Sequence, residues 1–197
     1  MDNVLIFWLS VIIISCLGTL AHFFYDWTHH NRIIGLFSAV NESTWEHIKI
    51  ALTAALLWGL VDGYIYGSDS NYFPAKLISL LIITFTIPAI FYFCRLFTKK
   101  SILIINIALF YIAILFGQLS FYGVLLAPDA IYVIQYLSCI GLFIFFGCYM
   151  TLTLKPLKNF LFKDPINGKY GFRAHQHIIK SIKKKRQIRK TRKTTHK

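Results

Sequence analysis

Residues 4–24 read "VLIFWLSVIIISCLGTLAHFF". The run holds no Asp, Glu, Lys or Arg, and its single histidine, His22, stands near the end. A bilayer core about 30 Å thick is crossed by roughly 20 apolar residues in a helix. Backbone in hydrocarbon must satisfy its own hydrogen bonds, and the polar–apolar alternation of a barrel strand is missing, so the run is predicted to be a membrane helix. Working outward, four further runs are long and predominantly apolar: Trp45–Tyr66, which carries Glu46 and Asp62 near its two ends, Ala75–Phe97, Ser101–Val124 and Ile131–Leu154. The predicted fold is therefore all-α and integral to a membrane. Five transmembrane helices (about 4–24, 45–66, 75–97, 101–124 and 131–154) form one domain over 1–154, and 155–197 form a basic cytoplasmic C-terminal tail. The short connections make neighbouring helices antiparallel.

Composition supports the same class. Of 197 residues, 56% are hydrophobic and only 15% are charged, against about 25% charged in a soluble domain. Mean hydropathy is +0.58. Only six of the 21 Lys and Arg residues precede position 155, so the net charge of +13 belongs to the tail. Asp2 and Asn3 replace the positive region of an export signal, so the first run is read as a span. Cys16, Cys94, Cys139 and Cys148 lie inside apolar runs without CxxC spacing and read as small packing residues. Lys and Arg gather on the side that holds the tail, with Arg32, Arg95, Lys99 and Lys100. Lys76, Asp2, Asp69 and Asp129 fall on the other. The positive-inside rule then places the N-terminus outside and the C-terminus in the cytoplasm of a multi-pass cell-membrane protein.

Against this apolar background, "SAVNESTWEHIKI" (residues 38–50) concentrates polar groups between the first two spans. His22 and Asp26 share one face of the first helix, as Glu42 and Glu46 would on the second, with His47 adjacent. Antiparallel packing would bring His22, Asp26, Glu42, Glu46 and His47 together about one turn inside the cytoplasmic interface. Imidazoles and carboxylates in this combination suit a divalent transition metal, for which His22, Glu46 and His47 are the candidate ligands. They equally suit a proton relay or acid–base site, since ionisable groups at membrane depth are costly unless paired or used. A structural reading competes. Ser43-Thr44-Trp45-Glu46 fits a capping box, with Glu46 reaching back to the Ser43 amide, and that reading leaves His22 and His47 unexplained.

The segment from His22 to Ile50, with "HFFYDW" and "GLFSAVNESTWEHIKI", resembles an uncharacterised family of small bacterial multi-pass membrane proteins, a domain of unknown function. "FKDPINGKYGF" (162–172) is a weaker echo of the same family. The resemblance marks His22, Asp26, Asn41, Glu42, Trp45, Glu46 and His47 and implies a membrane protein, with no reaction attached. Ala39 stands where the family usually has proline, and this chain continues well beyond the Asp-Pro…Gly-x-Tyr-Gly segment.

Elsewhere the signals are sparser. Asp62 lies about 24 Å along the second helix from Glu46 and cannot join the cluster; Tyr64, Tyr66, Gln118 or water are its expected partners. Pro88 should kink the third span. The stretch 174–197 carries ten Lys and Arg and no acid. Without aromatic interleaving or a recognised fold it favours anionic lipid over nucleic acid. Five spans are few for a monomeric carrier, which points to a homo-oligomer or a larger membrane complex. Two functions fit. One is an accessory or transport-type membrane component whose cluster locks two helices. The alternative is a membrane-embedded metal-dependent or acid–base enzyme acting on a lipid-like substrate.

Overall fold

The computed structural model describes residues 3–98 and 103–174. Five long helices run in order: α1 (Asn3–Trp27), α2 (Thr44–Tyr66), α3 (Tyr72–Phe97), α4 (Leu103–Leu125) and α5 (Tyr132–Leu154). All five are long and apolar enough to cross a membrane. A 3-10 turn, Ile34–Leu36, interrupts the α1–α2 connection. The protein is a multi-pass, all-helical membrane protein.

Helix ends follow local chemistry. α1 stops where His29 and His30 take positive φ (54° and 67°) and the His30 amide reaches back to Tyr25 O at 2.9 Å. This six-to-one closure satisfies a carbonyl that the helix leaves open. α3 begins at Tyr72, ahead of the expected Ala75, because Pro74 falls in the first turn, where its missing N–H costs nothing. The helix continues through Pro88 to Phe97, and the Thr84 hydroxyl donates to Leu80 O at 2.7 Å.

α2 is the central helix. Over half of its apolar window is buried, against 17% for α5 at the periphery. Between apolar helices in lipid, close packing and interhelical hydrogen bonds drive association. Small residues supply the closeness: Ala51 and Ala55 are fully buried. A methyl group on Gly18 would lie 2.4 Å from the Phe110 ring, so only glycine lets α4 approach α1 there. Thr53 and Tyr149 join α2 to α5 through a 2.8 Å hydroxyl contact, and Tyr149 donates onward to Leu36 O at 3.0 Å.

The expected surroundings of Asp62 need correction. Its carboxylate accepts from Lys76 Nζ at 2.7 Å, with both groups almost fully buried. Lys76 lies inside α3, one turn beyond its start, and its ammonium sits 5.4 Å from the centre of the Phe121 ring. A charge enclosed among apolar helices needs an opposite charge, and the carboxylate across the α2–α3 turn supplies it.

Residues 155–174, expected as the beginning of a tail, fold back across the bundle. The Trp45 amide donates to Leu161 O at 3.0 Å, the Trp45 ring meets Phe162 at 5.0 Å, and Phe172 meets Tyr25 at 5.8 Å. Asp164, Phe162 and Ala174 are buried. The basic run expected to bind anionic lipid begins after this, outside the described residues. A chain ending at Ala174 keeps these contacts. A chain ending at Leu154 should melt earlier, because Trp45 and Tyr25 lose their packing partners. Equal midpoints for the two truncations would show that the segment contributes nothing.

Candidate functional site

The five clustered residues do meet at one end of the bundle, the end where α5 finishes, yet they do not form one group. Glu46, in the first turn of α2, is 3% exposed. Its Oε2 accepts from the Val40 amide at 2.9 Å and pairs with Lys49, three residues on. The Lys49 ammonium is fully buried and also donates to Gly35 O at 2.9 Å. This trio ties the 34–43 connection onto α2. The capping box is thus corrected. Ser43 is the N-cap by backbone conformation, its side chain makes no cap bond, and its amide donates to Asn41 Oδ1 at 2.8 Å, not to Glu46. Asn41 in turn donates through Nδ2 to Gly171 O at 3.2 Å, fastening the 155–174 segment.

His22, Glu42 and His47 lie together. His22 Nε2 lies 3.6 Å from Glu42 Oε1, an ion-pair distance longer than a hydrogen bond. The His22 and His47 rings are 5.7 Å apart between centres. His47 Nδ1 is 2.9 Å from Ser43 O. A carbonyl only accepts, so Nδ1 carries the proton and the neutral ring keeps Nε2 as its basic nitrogen. Asp26 stands at the rim, where His30 Nε2 donates to its Oδ1 at 3.1 Å. Among the described residues, no three or more His, Cys, Asp or Glu side chains are grouped to hold a metal ion. The ligand trio His22, Glu46 and His47 separates at Glu46, whose carboxylate Val40 and Lys49 already occupy.

Two cavities of 430 and 350 Å³ share Glu42, His47, Asn106 and Phe110. The larger runs between α3 and α4 past Ile87, Phe91 and Arg95 and is floored by Pro165 and Ile166. The smaller runs between α1 and α4 past Thr19, His22 and Tyr111. Together they form a groove with apolar walls and one polar end, the composition typical of a small-molecule site. Arg95, Asn106, Lys49 and Asp164 were not among the site candidates read from the sequence. Lys49 carried a signal, its i,i+3 spacing from Glu46; Arg95 and Asn106 carried none, since they arrive on other helices. Asp164 is fully buried in the turn that Asp-Pro and Asn-Gly announce. It accepts from the Ile166 amide at 2.8 Å and the Asn167 side chain at 3.0 Å. Burial pushes its carboxyl above the ordinary value, and the nearby Glu42 charge acts in the same direction.

A family model for a family of unknown function, DUF6512, matches residues 3–172. The chain belongs to this family. The DUF6512 match takes in all five helices and nearly all of the folded-back segment, and stops before the basic stretch 175–197. No curated protein and no solved structure matches the chain.

Proposed function

We propose that the groove receives the polar end of a lipid-like substrate and that His22, Glu42 and His47 exchange protons with it. The observation that carries this reading is the division of the cluster. Glu46 and Lys49 pair in a dry interior and tie the 34–43 connection onto α2, whereas the histidines and Glu42 line an accessible cavity. His47, with Nε2 as its basic nitrogen, is the proton acceptor. His22, with Glu42 Oε1 3.6 Å from its Nε2, is the second group on the cavity wall placed to exchange a proton with the substrate. Ile87, Phe91 and Phe110 offer apolar surface to the remainder of the substrate.

The test is to reconstitute the protein into nanodiscs made from a total membrane lipid extract and to follow every lipid class by mass spectrometry. One class should be converted by the wild-type protein and left intact by His47→Ala. Conversion of none by the wild type would overturn the enzyme reading. It would leave the second one, an accessory or transport-type component within a homo-oligomer or membrane complex. The specific observation favouring that reading is the Glu46–Lys49 tie itself, which fixes the 34–43 connection onto α2 without any chemistry.

We place the groove on the cytoplasmic side of the cell membrane. Arg32, Arg95, Lys158, Lys169 and Arg173 all lie at the groove end, while Lys76 at the opposite end is neutralised by Asp62. That distribution supports a C-terminus inside and an N-terminus outside. Single cysteines at positions 70 and 128, in an otherwise cysteine-free chain, should react with an impermeant maleimide in intact cells. Labelling only after lysis would reverse the orientation.

A further inference from the structure

At the end of α5, away from the histidines, lies a second cavity system whose chemistry is different. A cavity of 720 Å³ is bordered by Lys158, Lys169 and Arg173, and a neighbouring one of 450 Å³ by Arg32 and Arg173. The two share Leu154, Phe172 and Arg173, and no acidic residue lines either. All four cations are exposed, and among the described residues none forms an ion pair with a carboxylate. An anion entering these cavities would meet positive charge that no lining carboxylate offsets. The fold sets the four side chains around a shared border. Arg32 follows the left-handed exit of α1, and the 155–174 segment carries the other three, fastened by Asn41 and Trp45.

We propose that this basic pair of cavities binds the headgroup of an anionic phospholipid, with Arg32 and Arg173 as the phosphate donors. Guanidinium forks match phosphate oxygens in pairs, and Lys158 and Lys169 add point charge at the rim. A lipid fits better than a free phosphate because the apolar border continues onto the membrane face. Leu154 is the last residue of α5 and 60% exposed, and Ile33 beside Arg32 is 68% exposed. Both offer surface to an acyl chain at the depth where a headgroup joins its tails. Basic pockets of this kind at helix ends recognise lipid headgroups. The site is independent of the histidine groove and of the basic stretch 175–197, since every residue it uses precedes that stretch.

Native mass spectrometry of the full chain in detergent, titrated with dioleoyl phosphatidylglycerol or dioleoyl phosphatidylcholine, tests it. The wild type should retain one phosphatidylglycerol in preference to phosphatidylcholine. The double variant Arg32→Gln/Arg173→Gln should bind it about thirtyfold more weakly, at roughly fivefold per cation removed, with an unchanged melting midpoint. A variant with Lys183, Lys184, Lys185 and Arg186 changed to glutamine should keep the tight site. If the arginine variant does not fold, Lys158→Gln/Lys169→Gln, at the exposed rim, should show loss in the same direction. Equal binding by a folded arginine variant, equal retention of phosphatidylcholine, or loss confined to the Lys183–Arg186 variant would overturn the proposal. Displacement of the lipid by excess inorganic phosphate would also overturn it, assigning the site to a soluble anion.

Discussion

Lys49→Met should destabilise the protein by about 3–5 kcal/mol, the usual consequence of removing one partner from a buried ion pair. The Glu46 carboxylate would keep the Val40 amide as its hydrogen-bond donor and lose its counter-charge, and Gly35 O would lose the ammonium. Both groups sit where water does not reach, so neither can be re-solvated without opening the 34–43 connection. The double variant Glu46→Gln/Lys49→Met should recover most of the loss. Glutamine still accepts from Val40, and no charge remains unpaired. Denaturation in detergent, followed by tryptophan fluorescence of Trp45 and Trp58, measures the difference. A Lys49→Met protein as stable as wild type would show that the pair does not hold the loop. Glu46 and His47 are neighbours in sequence, yet their side chains share no hydrogen-bond partner. The stability effects of Glu46→Gln and His47→Ala should consequently add, whereas residues within one network would be non-additive.

The second large effect concerns chemistry. His47→Ala should lower lipid conversion by roughly 10²–10⁴-fold, the range for loss of a general acid or base, while leaving the denaturation midpoint close to wild type. Among the described residues its ring makes one hydrogen bond, to the Ser43 carbonyl of its own helix start, and that carbonyl also accepts from the Glu46 amide. Glu42→Gln should reduce turnover by less, because it removes the charge beside His22 and leaves both imidazoles in place. Lys49→Met provides the contrast, a protein that melts early but whose folded fraction retains activity. If His47→Ala instead lowers the midpoint as far as Lys49→Met does, its role is structural and the acid–base reading falls.

The membrane class, the number of helices and most of their limits were determined by residues such as Val4–Phe24 on their own. Hydrocarbon obliges each span to satisfy its backbone internally, so length and polarity are local properties of the chain. The meeting of His22 with Glu42 and His47 was also legible, because α1 and α2 are consecutive spans that must run antiparallel and so bring their ends to one face of the membrane. What became of Glu46 was not. Its carboxylate could serve the Ser43 amide, the histidines or Lys49. Only the course of the 34–43 connection, which sets the Val40 amide and the Gly35 carbonyl beside it, decides among them. The partner of Asp62, the groove wall carrying Arg95 and Asn106, and the return of 155–174 onto Trp45 have the same origin. Each joins segments remote in the chain, and packing between helices, which no local periodicity encodes, determines which remote segments touch.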